Sequence, residues 1–319
     1  MLDSRHLLTC AHVVEQVDAL LQVEFVALPG AASGVASVFD DFWIPPSGDE
    51  RGDIAVLRLQ EPETRCTGAP VHRMPLLRGR TVSAYGFPGN GEMGVWFTGR
   101  QAHDGGPGGE WVQINKAAES EPVSPGYSGA AVVDDETGYV VGMMVSRFAT
   151  AANLVSWMIP AETMLGHLPG LDRWFQGGSG VDQSIVERPT SQVVDPVFSR
   201  DLAGYFAGHG PSAPWVVVTG DSESALSTSL RLMILLADRE RSASVGATML
   251  PADAVPPAGS LGLAVDATAK TADDVRRRIE ERLRPLTESG VALPNRFSGL
   301  TLVIDAIDDA AEPARLIED

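Results

Sequence analysis

The first half of the chain alternates short apolar runs with turn-forming residues. From residue 1 to about 170, runs of four to seven residues are separated by Gly, Pro and Asp. The clearest runs are Leu21–Val26, Ile54–Leu59, Thr81–Tyr85, Val95–Thr98, Trp111–Ile114, Ala130–Val133, Val140–Val145 and Leu154–Ile159. Runs of this length with turn signals between them predict β-strands, and this many strands predicts an all-β barrel or sandwich. Helical periodicity first appears at Ala161–Leu168, which predicts a short helix that closes the domain.

The pattern changes after residue 175. Residues 176–195 are rich in Gly, Ser, Gln and Pro, a composition typical of a linker. Beyond them, predicted helices and strands alternate, at Val197–Ala207, Trp215–Val218, Thr228–Ala237, Leu261–Val265, Lys270–Leu286 and Leu300–Ile304. This alternation predicts an α/β domain with a parallel sheet. The sequence therefore predicts a multi-domain protein, with an all-β domain at 1–175, a linker at 176–195 and an α/β domain at 196–319.

Three short motifs in the first half hold candidate catalytic residues. His12 lies in Leu-Thr-Cys-Ala-His-Val-Val, Asp53 in Gly-Asp-Ile-Ala-Val-Leu and Ser128 in Pro-Gly-Tyr-Ser-Gly-Ala-Ala. Each motif alone has an ordinary structural explanation, because a lone His after an apolar run is often structural and an Asp after Gly often marks a turn. Together, in the order His, Asp, Ser on a chain of short strands, they predict a catalytic triad.

The residue types match what acyl transfer requires. A serine hydroxyl needs an adjacent base before it can attack a carbonyl at neutral pH. His12 would accept the proton of Ser128 and pass it to the leaving amine, while Asp53 would fix the imidazole tautomer and stabilise its charged form. The oxyanion of the tetrahedral intermediate needs preorganised N–H donors, and Gly126 and Ser128 are positioned to offer them. Glycine at 126 would let the backbone turn tightly enough to expose its N–H.

These motifs resemble those of the trypsin-like peptidase family, and are closer to its bacterial HtrA-like branch than to digestive trypsins. The resemblance covers about Leu2 to Phe175. It includes Tyr85–Pro88 in the middle of the domain and Gly142–Val145, which is similar to the strand that lines the substrate cleft. It also includes Ser156–Ala161, which is similar to the closing strand and the start of the last helix. The resemblance implies a chymotrypsin fold, with two six-stranded β-barrels and the triad between them, and a serine endopeptidase whose partners are polypeptide substrates.

Three departures from the family pattern affect the expected function. Tyr127 stands where digestive trypsins carry the Asp that receives a freed N-terminus, so that zymogen switch is not expected. Pro122 stands at the position that selects basic residues in trypsin, so Arg/Lys specificity is not expected. The chain starts just after the family's usual first strand, which predicts an unpaired edge on the first barrel. A catalytically silent or truncated scaffold or signalling protein is therefore the alternative.

The second half contains a degenerate nucleotide-binding pattern. Thr219–Thr228 lies between a predicted strand and a predicted helix, where phosphate-binding loops are found. Gly220, Ser227 and Thr228 fit such a loop, but Leu226 replaces the lysine that contacts the β- and γ-phosphates. The later run Leu300–Ala310 resembles a Walker B strand, whose acidic residues are Asp305, Asp308 and Asp309.

This stretch resembles the start of a NACHT-like (STAND-type) P-loop ATPase, a class of signalling switches. The resemblance implies a regulatory role for the second half, with a regulatory partner bound through it. Because the phosphate-contacting lysine is missing, we expect neither ATP nor Mg²⁺ as a cofactor and a domain that binds no nucleotide. Proteolysis by the triad requires no cofactor. An active ATPase remains the third alternative.

Composition and charge bear on the possible partners, the location and the metal sites of the protein. The formal charge is −18, which predicts that neither nucleic acid nor an anionic membrane surface is a partner. No run reaches the ~18 apolar residues of a membrane span, and residues 1–6 lack the features of a signal peptide. The chain has two cysteines, Cys10 and Cys66, so the several disulfides of a secreted trypsin-like domain are not expected. We expect a cytoplasmic location instead. We expect no metal site, because ligand-like spacing with Cys or Asp is lacking at His6, His72, His103, His167 and His209.

Overall fold

The computed structural model describes residues 1–14, 16–28, 32–49, 51–89, 94–145, 155–188, 194–209, 217–219, 225–245, 250–287 and 300–318, excluding the side chains at 103, 104 and 107. The chain forms two compact units. The first consists of Met1–Arg73 and Arg78–Gln176, and the second of Met74–Leu77 and Gly177–Asp319. Apart from the short segment Met74–Leu77, the chain passes from the first unit to the second after Gln176, close to the predicted end of the all-β domain.

An antiparallel sheet of four strands opens the first unit. Its strands are β1 (His6–Thr9), β2 (Leu21–Phe25), β3 (Ala32–Ile44) and β4 (Ile54–Leu59), in the order β1-β4-β3-β2. The six-stranded first barrel implied by the resemblance is thus wrong for the described residues. No further strand follows β4 before Thr81 in the described chain, where Pro62, Pro70 and Pro75 lack the N–H that a strand ladder needs.

The second sheet of this unit is a closed barrel. Its strands are β5 (Thr81–Gly86), β6 (Val95–Gly105), β7 (Trp111–Lys116), β8 (Ala131–Asp134), β9 (Val140–Val145) and β10 (Val155–Pro160). They follow the order β10-β7-β6-β5-β8-β9, and β9 pairs with β10 to close the ring. Here the predicted six-stranded barrel is present. Helix α1 (Ala161–His167) follows β10 at the predicted place.

One hydrophobic core joins the two sheets of the first unit. Ile54 and Val56 of β4 belong to the same buried cluster as Trp111 of β7, Met143 of β9 and Met164 of α1. Because these side chains come from both sheets and from the closing helix, the loops that leave the sheets are held at fixed positions.

A buried ion pair ties β8 to the segment before β5. Arg80 Nε donates to Asp134 Oδ2 at 2.6 Å, and Arg80 Nη1 donates to Glu136 at 2.7 Å. Asp134 is fully buried, so the carboxylate depends on this guanidinium for its charge compensation. Removing one partner of a buried pair leaves an uncompensated charge in the interior.

We therefore expect Arg80→Met to lower the free energy of unfolding by about 3 kcal/mol. Chemical denaturation followed by circular dichroism measures the change. The control is Arg65→Met, because Arg65 pairs with Glu63 at the surface, where ion pairs contribute little. Equal midpoints for the two variants would contradict the assignment of Arg80 as a buried structural cation.

The second unit combines helices with a short parallel sheet. Its described helices are α2 (Gln183–Glu187), α3 (Pro196–Phe206), α4 (Ala225–Ala237), α5 (Arg239–Ser242), α6 (Ala272–Thr287) and α7 (Pro313–Glu318). Strands β11 (Leu261–Asp266) and β12 (Thr301–Asp305) pair in parallel, as predicted for an α/β domain. One pair of parallel strands is common to many α/β folds and does not identify a P-loop NTPase.

Two expectations for this half differ from the structure. The segment 176–195, expected as a linker, contains α2, and its Val181 and Ile185 are buried in the core of the second unit. These two apolar side chains anchor the segment, despite its linker-like composition. Of the expected strand Trp215–Val218, the described part, Val217 and Val218, is not in a strand.

Within the described ranges, no helix has the length and apolar character needed to cross a membrane.

Candidate active site

Strand pairing brings the first two candidate residues together. The antiparallel register of β1 and β4 sets Thr9 opposite Ala55. His12 lies in the 3-10 turn Ala11–Val13 just after β1, and Asp53 lies just before β4. In an antiparallel pair, the residue that follows one strand adjoins the residue that precedes the other. The sheet register therefore places His12 beside Asp53 although 41 positions separate them in sequence.

The backbone at Asp53 adopts an unusual conformation. Its φ is +67°, and that of Gly52 before it is +85°. A non-glycine residue in this region costs on the order of 1–3 kcal/mol. The conformation turns a carboxylate that is only 1% exposed toward the imidazole of His12. Oδ2 lies 2.6 Å from His12 Nδ1, and Oδ1 accepts the backbone N–H of His12 at 2.8 Å.

The third candidate, Ser128, lies on the turn between β7 and β8. Its Oγ is 2.9 Å from His12 Nε2. Gly126 (φ +109°) and Gly129 (φ +87°) give the turn its shape. A Cβ at Gly129 would lie 2.5 Å from Thr9 Oγ1, so only glycine lets the turn approach β1 this closely. The structure thus brings His12, Asp53 and Ser128 into one hydrogen-bonded chain.

The donor and acceptor roles of the two imidazole nitrogens depend on the tautomer of His12, which the charge of Asp53 selects. With Asp53 as a carboxylate acceptor, neutral His12 carries its proton on Nδ1 and leaves Nε2 as an acceptor. The hydroxyl of Ser128 then donates to Nε2. This arrangement can take a proton from Ser128 and hold it on an imidazolium next to a buried carboxylate.

Tyr127, which precedes Ser128, anchors the turn to the barrel. Its side chain is buried, its hydroxyl donates to the carbonyl of Val95 at 3.1 Å, and its ring lies against Gly86, where a Cβ would be 2.4 Å away. Burial raises the pKa of this phenol, and the negative charge of Glu121 adds to the effect. The phenol therefore stays neutral and acts as a fixed hydrogen-bond donor.

The candidate oxyanion donors lie on the same turn. Gly126 is exposed and Ser128 is half-buried. The neighbouring N–H groups of Tyr127, Gly129 and Ala130 donate to backbone carbonyls at 3.0–3.3 Å. Those bonds fix the backbone between Gly126 and Ser128 and directly after Ser128.

Cys10 is a neighbour of the triad that sequence reasoning left without a role. Its thiol donates to the carbonyl of Met144 at 3.4 Å. Its sulfur and ligand atoms of His12 and Asp53 lie within 4.8 Å of one another, close enough to be tested as a metal site. Burial raises the pKa of the Cys10 thiol well above its usual range, and the charge of Asp53 adds to this. A neutral thiol is a poor metal ligand, so the expectation of no metal stays a prediction on chemical grounds.

The candidate nucleotide residues of the second unit are more scattered. Gly220 lies outside the described residues. Ser227 and Thr228 lie in the first turn of α4, and Thr228 is buried there. Asp308 and Asp309 lie in a 3-10 turn after β12 and are exposed.

Asp305, the first acidic residue of the Walker B-like run, has arginine neighbours. Arg188 Nη1 donates to Asp305 Oδ2 at 3.3 Å, and the same guanidinium also bonds Asp266 at the end of β11. Arg231 Nε of α4 lies 3.8 Å from Asp305. Sequence reasoning missed both arginines, because nothing in their local sequence connects them to β12.

A comparison with known families found a match within the first unit. Residues 1–143 match the family model of the trypsin-like peptidase domain. The match includes the segments that carry all three candidate triad residues. No curated protein matches the chain.

Proposed function

We propose that the first unit is a serine endopeptidase with His12, Asp53 and Ser128 as its catalytic triad. Residues 1–143, which include all three, match the family model of the trypsin-like peptidase domain. The observation that carries the proposal is the continuous chain from Asp53 through His12 to Ser128, with contacts of 2.6 and 2.9 Å. A silent scaffold, the alternative, does not require an acid, an imidazole and a hydroxyl within hydrogen-bonding distance of one another.

The proposed reaction follows from the hydrogen bonds. Ser128 Oγ attacks the carbonyl carbon of the scissile peptide bond while His12 Nε2 takes its proton. The imidazolium then gives that proton to the leaving amine, the C–N bond breaks, and an acyl ester remains on Ser128. Water, activated by His12, hydrolyses the ester and frees the enzyme. Asp53 stabilises the imidazolium in both halves of the reaction.

The oxyanion of each tetrahedral intermediate is proposed to bind at the N–H groups of Gly126 and Ser128. Both belong to a turn whose shape is set by positive φ at Gly126 and Gly129. Such donors lower the barrier because they are in place before charge develops on the oxygen.

A peptidase domain acts on polypeptides, and the proposed substrate path follows β9. The sequence of this strand resembles a cleft strand, and it adjoins the serine turn, since Gly129 N–H donates to Met144 O at 3.0 Å. We propose that the acyl side of the substrate lies along β9. With Pro122 at the position that selects basic residues in trypsin, no preference for Arg or Lys is proposed. The closer relation to the HtrA-like branch also stays a proposal.

For the second unit we propose a regulatory role that does not depend on nucleotide. Asp305, the residue that would face magnesium in a Walker B strand, instead adjoins the guanidinium groups of Arg188 and Arg231. These cations compensate the carboxylate charge that a metal ion would otherwise compensate. With Leu226 in place of the phosphate-contacting lysine, triphosphate binding loses its main cation.

The nucleotide proposal predicts that the native chain binds no ATP. Titration of a fluorescent ATP analogue in the presence of Mg²⁺ should give no saturable signal up to about 1 mM, a range that covers typical enzyme affinities. Saturable binding that is lost in Asp305→Asn would contradict the proposal and support the ATPase alternative.

The peptidase proposal is tested by digestion of a protein substrate. Fluorescein-labelled casein incubated with the native chain should release small peptides, and mass spectrometry should identify new amino termini. Phenylmethylsulfonyl fluoride should stop the release, because an activated serine attacks its sulfur, displaces fluoride and becomes sulfonylated. Intact casein and an unmodified folded protein after this reagent would favour the silent scaffold.

A further inference from the structure

Three aromatic side chains form an exposed cluster beside the serine turn. Tyr85, Phe87 and Trp96 are 40%, 37% and 61% exposed. Tyr85 lies 5.0 Å from Trp96 and 5.5 Å from Phe87 between ring centroids. We call these three residues the aromatic patch. Exposed aromatic side chains that contact one another are typical of binding surfaces rather than of a solvated sheet face.

The strands hold this patch in a defined arrangement. Tyr85 of β5 and Trp96 of β6 are direct partners in the antiparallel register, so their rings lie on the same face. Gly94 makes room for the Tyr85 ring, because a Cβ there would lie 2.4 Å from it. The patch is therefore a preorganised surface whose side chains lose little freedom on binding.

The patch is continuous with the proposed catalytic turn. Phe87 N–H donates to Gly126 O at 2.9 Å, and a Cβ at Gly126 would lie 2.1 Å from Phe87 O. Gly126 is a proposed oxyanion donor two residues before Ser128. A polypeptide bound with its scissile carbonyl at Ser128 would thus have residues next to the aromatic patch.

The position along the turn indicates which side of the scissile bond this is. Phe87 contacts the turn at Gly126, whereas β9 contacts it at Gly129 and Ala130, through bonds of 3.0 and 2.8 Å to Met144. Ser128 lies between these contacts. Because the proposed acyl side follows β9, the chain on the other side of the bond, which leaves as the amine, extends toward the patch.

We propose that Tyr85, Phe87 and Trp96 form a subsite for apolar, preferably aromatic, residues on the leaving-group side of the polypeptide substrate. The inference rests on the proposed function and deepens it. It assigns a substrate preference to residues outside the triad and the oxyanion turn.

Acyl transfer to an added amine tests this subsite without knowledge of the acyl-side preference. p-Nitrophenyl acetate would acetylate Ser128 and release p-nitrophenol. An added amine then attacks the ester carbonyl, the C–N bond forms, the C–Oγ bond breaks, and His12 carries the amine proton to Oγ. The amine occupies the leaving-group side, so its capture relative to water reports binding there.

Phenylalaninamide and glycinamide are the two amines compared, and chromatography measures acetyl amide against acetate. We expect the native chain to favour phenylalaninamide by about 10-fold, the scale of a well-placed apolar contact. In Phe87→Ala and Trp96→Ala the preference should fall below about 2-fold. The amplitude of the p-nitrophenol burst should stay at one acetyl group per Ser128, although its rate is not a control, because p-nitrophenol leaves on the same side of the bond. Both side chains are exposed, and matching thermal midpoints would show that the variants fold. The control is Leu20→Ala, which removes a 66% exposed apolar side chain before β2 and should keep the preference.

Equal capture of the two amines by a native chain that shows the burst would overturn the subsite and leave the peptidase proposal standing. A preference that survives in both aromatic variants would overturn it as well. A native chain that shows no burst beyond that of Ser128→Ala would overturn the proposed function, and the subsite with it.

Discussion

Replacing Ser128 with alanine is expected to lower the turnover of peptide substrates by about 10⁶-fold, and that of p-nitrophenyl acetate to near its spontaneous rate of hydrolysis. The variant lacks the oxygen that forms the acyl ester, and His12 then has no proton to accept from position 128. Only the residual stabilisation by the oxyanion donors and by substrate binding remains. Initial rates with p-nitrophenyl acetate and labelled casein measure the effect.

The matched control for this variant is Ser124→Ala in the same turn. The carbonyl of Ser124 accepts the N–H of Tyr127 at 3.3 Å, a bond that alanine preserves. Its activity should stay within about 2-fold of the native chain, as expected for a surface substitution outside the reacting groups. Comparable losses in the two variants would mean that the turn, and not the hydroxyl of Ser128, accounts for the activity.

Replacing Asp53 with asparagine should lower kcat by about 10⁴-fold at neutral pH. The amide oxygen of the introduced side chain can keep the bond from the backbone N–H of His12, which Asp53 Oδ1 accepts at 2.8 Å in the native chain. The amide NH₂ then faces Nδ1, which must become an acceptor. The imidazole proton moves to Nε2 and the nitrogen beside Ser128 can no longer take a proton.

Asp49→Asn serves as the control for this substitution. Asp49 is an exposed carboxylate of the same loop, bonded to Arg51 and Ser47. Its loss should leave kcat within about 2-fold, because it is on the surface and away from the reacting atoms. An Asp53→Asn variant with nearly native kcat across the neutral pH range would contradict the tautomer argument and the assignment of Asp53 to the triad.

The three candidate triad residues could be found in the sequence because acyl transfer restricts the residue types. A serine next to glycine, a histidine base and an aspartate are what this chemistry needs, and their order His, Asp, Ser on a chain of short strands selected these three motifs. The geometry that joins them could not be predicted. It depends on the register of β1 against β4 and on the positive φ at Asp53, and both are set by tertiary structure.

The longest strand of the first unit shows why the strand prediction failed in places. Strand β3 covers Ala32–Ile44, but its sequence contains Asp40 and Asp41 and lacks a continuous apolar run. Asp40 has φ +42°, and the register against β4 shifts between Val38 and Trp43. A bulge of this kind lets polar residues enter a long strand, and a search for short apolar runs does not detect it.

In the second unit, composition was misleading where a few apolar residues outweigh many polar ones. Val181 and Ile185 are buried in the core and anchor a segment that is otherwise rich in Gly, Ser and Gln. Ion pairs between distant positions were equally invisible, as with Arg188 and Asp305, which lie 117 residues apart. Pairing of this kind leaves no local pattern in the sequence.

The central claim is that the hydroxyl of Ser128 is activated by His12 and Asp53. The most direct measurement is labelling of the native chain with a fluorophosphonate probe, followed by mass mapping of the modified residue, because the probe forms a covalent bond with an activated serine. The account predicts labelling of Ser128 that is abolished in Ser128→Ala and strongly slowed in Asp53→Asn. A folded native chain that stays unlabelled, or that is labelled at a different serine, would contradict it.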